Sequence, residues 1–288
     1  MKIEATHLGK LTPYPPAYDP SVLVAVPRKL NREQYLIDDD ELPFCGVDVW
    51  HAYEFGFMIQ SGLPVVGLLK IVYPAKSYYL VESKSLKLYL NSFNMERIGE
   101  VVKEGVEKVL SIIKNDLSHL LKCKVDVAYF NHNSKFVDSD FNDFEILEEK
   151  VYHIECKIFN EVQELLDVGN EHEEIKWGTH LLRSNCKITN QPDWGSIYVN
   201  MKSEHYPSKE GFLKYIVSLR NENHFHEEIC EMVYHRLYQK YQPSELMVSC
   251  LYTRRGGIDI NPVRSTNADL YPVNLVSQTS ICQSGYRQ

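Results

Sequence analysis

A cysteine and an aspartate seven positions apart are the residues of this chain with the clearest chemical potential. Cys186 and Asp193 lie in the segment Ser184–Gly195 (SNCKITNQPDWG), where Thr, Asn and Pro residues between them favour a turn. In an extended chain, seven residues would separate the two side chains by about 23 Å, so they can cooperate only if the chain folds back. The pair indicates a nucleophile followed by a proton donor.

Each member of this pair has a functional and a structural interpretation. A cysteine attacks as its thiolate, so its site must lower the thiol pKa from about 8.5. Cys186 lies between Asn185 and Lys187 beside a turn, whereas most cysteines are small buried side chains. Asp193 can act as an acid only if burial raises the pKa of its carboxyl. The alternative is that Asp193 only caps the turn, as most Pro-Asp pairs do.

Three further polar segments suit a ligand site. Val81–Phe93 (VESKSLKLYLNSF) alternates charged and apolar residues, which favours an exposed edge strand and also suits a ligand-facing rim. In Asn221–Glu227, His226 and Glu227 suit either a solvated first helical turn or a site. The RRGG sequence in Tyr252–Asp259 suits phosphate binding, and a hairpin turn is its alternative. Because no HExxH, GxGxxG or GxxxxGK[ST] sequence occurs, we expect no metal and neither a Rossmann nor a P-loop site.

The hydrophobic pattern predicts the same order of elements twice. Strand-like patterns occupy Leu63–Tyr73, Ser77–Phe93, Ile197–Met201 and Leu246–Thr253. Helical spacing occupies Met95–Leu121 and Phe225–Tyr241. A shift of 128 residues superposes Pro64 on Pro192 and Gly67 on Gly195. We therefore predict two similar modules, at 1–140 and 141–288, of which only the second carries the cysteine and the aspartate.

Composition limits the classes of function. With 288 residues and a net charge of −8, the chain is not expected to offer a broad nucleic-acid-binding surface. Seven cysteines without a CxxC pair fit neither a disulfide scaffold nor a zinc cluster, which favours reduced thiols. Met1–Lys10 has no leader pattern and no window approaches a membrane span. We therefore expect a cytoplasmic protein that binds no membrane.

Four segments, in this order, resemble the NADPH-dependent 7-cyano-7-deazaguanine reductases of queuosine biosynthesis in their two-module form. They are Glu82–Phe93, Ser184–Ser196 (SNCxITxQPDWGS), Phe225–Glu227 (FHE) and Tyr252–Pro262 (YTRRGGxDINP). The resemblance covers most of the chain, from Val26 to Ser265. Lys187, directly after the cysteine, and the region 131–178 depart from the family pattern.

The resemblance implies a fold, a reaction and a set of site residues. The fold would be α+β, with two tandem tunnelling-fold (T-fold) modules whose antiparallel sheets are backed by long helices, in a homo-oligomer with a homodimer favoured. Cys186 would add to the nitrile carbon to give a covalent thioimidate, with Asp193 as proton donor, and two NADPH molecules would reduce it to an amine. The implied substrate-binding residues are Val81, Glu82, Ser83, His226 and Glu227. The implied NADPH-binding residues are Ser83, Lys84, Arg255 and Gly256.

Two other functions are compatible with some of these residues. An enzyme that adds an amine or ammonia to the same nitrile without reduction would keep Cys186 and Asp193, but it would not need Glu82–Lys84 as a cofactor rim. A non-catalytic purine- or pterin-binding assembly protein would need neither Cys186 nor Asp193. Nitrile-dependent oxidation of NADPH separates the three functions.

Overall fold

Most strands join one sheet that is built from both halves of the chain. The computed structural model describes residues 14–151, 153–169, 174–286 and 288, so the expectation for Met1–Lys10 lies outside the described residues. The strands are β1 (Ala25–Pro27), β2 (Cys45–Met58), β3 (Pro64–Pro74), β4 (Tyr79–Val81), β5 (Asp126–Phe130), β6 (Phe136–Val137), β7 (Glu145–Ile146), β8 (Ile175–Cys186), β9 (Pro192–Lys202), β10 (Asn223–His224), β11 (Glu245–Tyr252), β12 (Ile258–Ser265) and β13 (Ile281–Cys282). The α-helices are α1 (Lys29–Arg32), α2 (Ser83–Asn91), α3 (Val102–Leu121), α4 (Lys209–Ser218), α5 (His226–Tyr241) and α6 (Val273–Val276).

The halves are joined edge to edge by their strands. The order in the sheet is β10-β8-β9-β11-β12-β2-β3-β5, and β7 also pairs with β8. The long strands are antiparallel, whereas β7 and β10 run parallel to β8. The ladder between the halves runs from Ile258 opposite Ala52 to Ser265 opposite Cys45. The predicted α+β class with antiparallel strands is confirmed.

The two halves repeat one arrangement. The first has the order β2-β3-α2-α3-β5 and the second β8-β9-α4-α5-β11-β12. The register of the first hairpin shifts between Ala52 and Phe55, and that of the second between Thr179 and Leu182, which is the same place in each copy. The repeated order of elements that the weak sequence repeat predicted is therefore present.

A shared hydrogen bond extends the repeat to the helices. A shift of 126 residues superposes the first residues of α2 and α4. At the ends of these helices, the Ser92 hydroxyl donates to the Tyr89 carbonyl at 2.6 Å and the Ser218 hydroxyl donates to the Tyr215 carbonyl at 2.7 Å. The same local structure therefore follows the first hairpin in both modules.

The prediction of a strand over Ser77–Phe93 is correct only for β4, because α2 follows it. Apolar residues in this segment fit both periods: positions 86, 88 and 90 alternate as in a strand, whereas positions 86, 89, 90 and 93 recur at the helical spacing. All of them are buried. The Glu82 carboxylate accepts hydrogen bonds from the N–H groups of Lys84 and Ser85, which favours the start of a helix.

The other helices and strands lie close to their predicted positions. Helix α3 begins at Val102 rather than Met95, because Gly99 takes a left-handed conformation with φ +80° before it. Its side chains at positions 109, 113, 117 and 121 are fully buried, so the predicted apolar face is confirmed there. Strands β2, β8 and β12 were not predicted. In β12 the buried polar residues Asp259 and Asn261 interrupt the apolar pattern by which a buried strand is recognised.

Each face of the sheet is covered by different elements. The helices of each half pack on one face around a separate apolar cluster. On the other face, Phe141 stacks on Tyr198 with ring centroids 4.2 Å apart. There the Lys70 ammonium donates to four backbone carbonyls within residues 274–280, at 2.7 to 3.1 Å. Within the described residues, no helix is long and apolar enough to cross a membrane, and no group of His, Cys, Asp and Glu is arranged to hold a metal ion.

Candidate active site

A cavity of about 240 Å³ lies where the two halves meet. Its lining includes Trp50 on β2 and Ile258 and Ile260 on β12, with Ile260 directly opposite Trp50 in the ladder. Residues of the β8–β9 hairpin, the first turn of α5 and the start of α2 also line it. The volume lies slightly below the range of drug-sized pockets, so it suits one small ring system rather than a whole dinucleotide.

All ten residues that the sequence assigned to the site line this cavity. They are Val81, Glu82, Ser83, Lys84, Cys186, Asp193, His226, Glu227, Arg255 and Gly256. The first four come from the first half and the others from the second, so the cavity needs both. Lys87 and His224 also line it and were not assigned. Lys87 lies three residues after Lys84 on one helix face, a spacing that identifies it once α2 is recognised as a helix.

The β8–β9 hairpin turns the chain back between Cys186 and Asp193. Ser184 lies opposite Asp193 in the ladder. The Cys186 N–H donates to the Gln191 carbonyl at 2.8 Å, and the Asn190 N–H donates to the Cys186 carbonyl at 3.0 Å. Asn190 has φ +56°, a left-handed conformation that Asn adopts more readily than most residues. The fold-back that the sequence required is present, and Cys186 is a half-buried free thiol at its start.

Asp193 is buried, and an arginine and a histidine lie beside it as neighbours that the sequence did not predict. It is 4% exposed, and the Arg255 Nε lies 3.0 Å from its Oδ1. The His226 Nε2 lies 3.6 Å from its Oδ2, and the His226 ring packs on Tyr252 with centroids 3.9 Å apart. Arg255, which we assigned to the cofactor, therefore holds the Asp193 carboxylate in this structure. The imidazole is close enough to Asp193 for a proton to pass between them after a small movement.

Burial dominates the environment of Glu227, which is 3% exposed in the first turn of α5. Loss of water, together with the nearby Asp48 carboxylate, raises the pKa of Glu227 to about 8, although Arg28 and Arg264 oppose the shift. Glu227 therefore keeps its proton near neutral pH in the free protein. A ligand that offers N–H donors would favour the carboxylate instead.

A buried network of charged side chains lies beside Glu227. Asp48 pairs with Arg28 and, at 2.9 Å, with Arg264. Glu231, one turn after Glu227, accepts from Arg264 at 2.8 Å and from Arg32 at 2.8 Å. Burial alone would raise the pKa of Glu231, but these arginines hold it lowered at about 2. The sequence did not reveal this network, which ties the N-terminal segment to the helix that carries Glu227.

The rim of the cavity is positively charged. Lys84, Lys87 and Arg255 line it together with Gly256. Gly256 has φ +55°, a backbone conformation that residues with a Cβ rarely adopt, which accounts for glycine at this position. Lysine and arginine side chains are donors that phosphate groups prefer. The residues present therefore fit a phosphorylated cofactor.

Two models of known protein families together match most of the chain. Residues 14–129 match the family described as nitrile reductase, 7-cyano-7-deazaguanine-reductase N-term. Residues 192–270 match the family described as QueF-like protein. Val81–Lys84 fall in the first range and Asp193 in the second, whereas Cys186 lies between the two. Among solved structures, the crystal structure of the archaeosine synthase QueF-Like in the apo form is 18% identical, covers 34% of this chain and 99% of that chain, and gives a TM-score of 0.32.

Proposed function

Because the chain belongs to the QueF family of 7-cyano-7-deazaguanine-processing proteins, with one module in each half, we propose that it reduces the nitrile of 7-cyano-7-deazaguanine with NADPH. The product is 7-aminomethyl-7-deazaguanine, an intermediate of queuosine biosynthesis. One observation carries this proposal: a thiol, a buried aspartate beside a histidine, a buried glutamate and a cationic rim line the same cavity. Each of these groups has one task in the reduction.

The first step is covalent capture of the nitrile by Cys186. The Cys186 thiol gives its proton to the Asp193 carboxylate. The sulfur then forms a bond to the nitrile carbon while one C–N π bond breaks, and Asp193 passes that proton to the nitrogen. The result is a thioimidate on Cys186. His226 lies 3.6 Å from Asp193 and supplies it with a further proton for the later steps. Arg255, at 3.0 Å, fixes the orientation of the Asp193 carboxyl.

The later steps need two hydrides, which NADPH supplies when it is bound. Overall the nitrile gains two hydrides and two protons, and the Cys186 sulfur is released as a thiolate. Lys84, Arg255 and the Ser83 and Gly256 backbone at the rim would hold the phosphorylated cofactor. Asp193 and His226 hold the protons that the nitrogen takes up.

Binding of the purine edge places the nitrile against sulfur. A carboxylate accepts two N–H bonds from a guanine-like edge, which suits Glu227. Glu82 already accepts from two backbone N–H groups at the start of α2, so it contacts the ligand from a fixed position. Good orientation of bound reactants lowers a barrier by about 7 to 11 kcal/mol. Val81, Ser83 and His226 complete the enclosure of the ring system.

Affinity for the purine should rise with pH. The free protein holds Glu227 protonated below its pKa of about 8, whereas the ligand needs the carboxylate, so binding releases a proton. In a Cys186→Ala background, which isolates binding, the dissociation constant should fall by up to about tenfold per pH unit below pH 8 and level off above it. Isothermal titration calorimetry measures both the constant and the released proton. Glu227→Gln should bind more weakly and without this slope, and a wild-type-like slope in that variant would assign the proton to another group.

Lys84→Ala should weaken NADPH binding. Loss of one charged contact to phosphate, worth about 1.5 to 3 kcal/mol, raises the cofactor KM by about 10- to 150-fold. The nitrile KM should change much less, and NADPH should be used better than NADH by the wild type. Lys76→Ala, at an exposed lysine outside the cavity lining, is the matched control. An unaltered NADPH KM in Lys84→Ala, or equal use of both cofactors, would place the phosphate elsewhere.

The mass of the product tests the proposed reaction directly. With nitrile and NADPH, the wild-type protein should release the amine, which carries four more hydrogens than the nitrile. An amidine formed by addition of ammonia or an amine would instead indicate the non-reductive alternative. Bound but unchanged nitrile would indicate a non-catalytic binding protein.

Assembly and location complete the proposal. We propose a homodimer of two-module chains, in the cytoplasm, with the modules at 1–140 and 141–288 and each in the form of a T-fold. The substrate is a small molecule, and neither nucleic acid nor membrane takes part.

A further inference from the structure

We propose that Lys187 and Glu228 form a clamp that positions the nucleophile against the purine-binding turn of α5. This inference rests on the proposed function. Lys187 directly follows Cys186, and Glu228 directly follows Glu227. An ion pair between Lys187 and Glu228 therefore fixes the distance between the adjacent Cys186 thiol and the adjacent Glu227, which binds the purine. Lys187 is also the residue at which the nucleophile segment departs from the family pattern.

The contacts of Lys187 connect three separate parts of the chain. Its Nζ lies 3.3 Å from one Glu228 oxygen and 3.4 Å from the other. It also donates to the Oδ1 of Asn31, the last but one residue of helix α1. The same Nζ lies 5.9 Å from the centre of the Phe225 ring. The Glu228 side chain is 3% exposed and that of Lys187 is 21% exposed. Lys187 is thus largely withdrawn from water and directed at α5 rather than free in solvent.

The Glu228 carboxylate is itself held in place. It accepts a hydrogen bond from the His224 Nδ1 at 2.9 Å, and the His224 Nε2 lies 2.8 Å from the Tyr35 hydroxyl. His224 lines the cavity and lies opposite Cys186 in the β10–β8 pairing. These contacts therefore form a chain of side chains that ends at the hairpin carrying the thiol. Its members, in order, are Tyr35, His224, Glu228 and Lys187. The Glu228 side chain is 3% exposed and the His224 side chain is 7% exposed, so the anchor of the clamp is buried.

Burial makes this pair matter more than a surface ion pair. Exposed pairs contribute about 0 to 1 kcal/mol, but removal of one partner of a buried pair leaves an uncompensated charge that drives local rearrangement. The hairpin has a second attachment, because the Asn185 N–H donates to the Glu222 carbonyl at 2.7 Å. Loss of Lys187 should therefore displace the tip of the hairpin without unfolding it. A displacement of about 1 Å at a reacting atom costs up to about 10²-fold in rate.

The test is the rate of adduct formation between Lys187→Met and the nitrile in the absence of NADPH. Intact-mass analysis at several nitrile concentrations gives both the maximal rate constant and the apparent dissociation constant. We expect the rate constant to fall by about 10- to 100-fold and the dissociation constant to stay at the wild-type value. Lys209→Met removes a comparable, half-exposed pair with Glu145, 2.6 Å apart and outside the cavity lining, and should react at the wild-type rate. A wild-type rate constant in Lys187→Met would overturn the clamp.

A pH profile separates positioning from activation of the thiol by a nearby cation. If Lys187 positions Cys186, the pH midpoint of adduct formation stays the same in Lys187→Met while the plateau falls. A shifted midpoint with an unchanged plateau would overturn the clamp in favour of electrostatic activation. Lys187→Arg keeps the charge on a different geometry, so it should recover part of the plateau.

Two further outcomes keep the clamp testable. Should Lys187→Met fail to fold, as judged by thermal melting, Glu228→Gln is tested in its place. A lower rate constant of adduct formation is again expected, and a wild-type rate constant would again overturn the clamp. Failure of the clamp is also distinct from failure of the proposed function. Wild-type protein that forms no adduct would remove the proposed function and the clamp with it, whereas equal adduct formation by wild type and Lys187→Met would remove the clamp alone.

Discussion

Cys186→Ala is expected to form no covalent adduct with 7-cyano-7-deazaguanine and to lose nitrile reduction down to the uncatalysed background. The reason is that no other cysteine among those at 45, 123, 156, 230, 250 and 282 lines the cavity. Several of them are also poor nucleophiles, since burial raises the pKa of Cys123, Cys250 and Cys282. Intact-mass spectrometry with nitrile and without NADPH measures the adduct, and product analysis with NADPH measures turnover.

Cys156→Ala is the matched control, because Cys156 is another half-buried free thiol that lies outside the cavity lining. It should form the adduct and turn over like the wild type. A wild-type-like adduct in Cys186→Ala would move the nucleophile to another residue. Retained binding of the purine by Cys186→Ala would show that the loss is chemical and not a failure to fold.

Asp193→Asn should slow turnover by about 10²- to 10⁴-fold, the usual cost of losing a general acid. The amide keeps the shape of the side chain but cannot deliver a proton to the nitrile nitrogen. Loss of the negative charge also removes the ion pair with Arg255. Purine affinity should change little, because the proposed contacts to the ring come from Glu227 and Glu82. Steady-state rates and calorimetric binding constants measure the two effects separately.

Asp143→Asn provides the control for this substitution. Asp143 also forms an ion pair, with Lys176 at 2.8 Å, but its side chain is 61% exposed and outside the cavity lining. Its turnover should equal that of the wild type. If Asp193→Asn turned over normally, Asp193 would be left with only the turn-forming role that its Pro-Asp sequence also permits.

The hairpin between Cys186 and Asp193 was predictable because its determinants are local. Asn190 tolerates the left-handed conformation that the turn requires, and the required return of the chain follows from peptide geometry. The repeat was predictable for the same reason, since Pro64 and Pro192 begin equivalent strands. Helix α2 was mistaken for a strand because its apolar residues satisfy both periods, and only tertiary packing selects one of them.

The charge partners of the site were not predictable, because they are distant in the sequence. Arg264 and Asp48 are 216 residues apart, and Lys187 and Glu228 are 41 apart. The residue types showed that charges were present, but only the pairing of β12 with β2 and the packing of α5 decide which of them meet. The RRGG sequence predicted that Arg255 binds phosphate. The structure adds a contact between Arg255 and Asp193 that the spacing of the two residues did not predict.

The most direct test of the reductive function is a titration of NADPH oxidation against limiting nitrile with the wild-type protein. Conversion of a nitrile to a primary amine takes two hydrides, so absorbance at the nicotinamide band should fall by two equivalents of NADPH for each nitrile added. No oxidation should occur without nitrile, and none with Cys186→Ala. Consumption of the nitrile with no oxidation of NADPH, or oxidation that ignores the nitrile, would contradict the account.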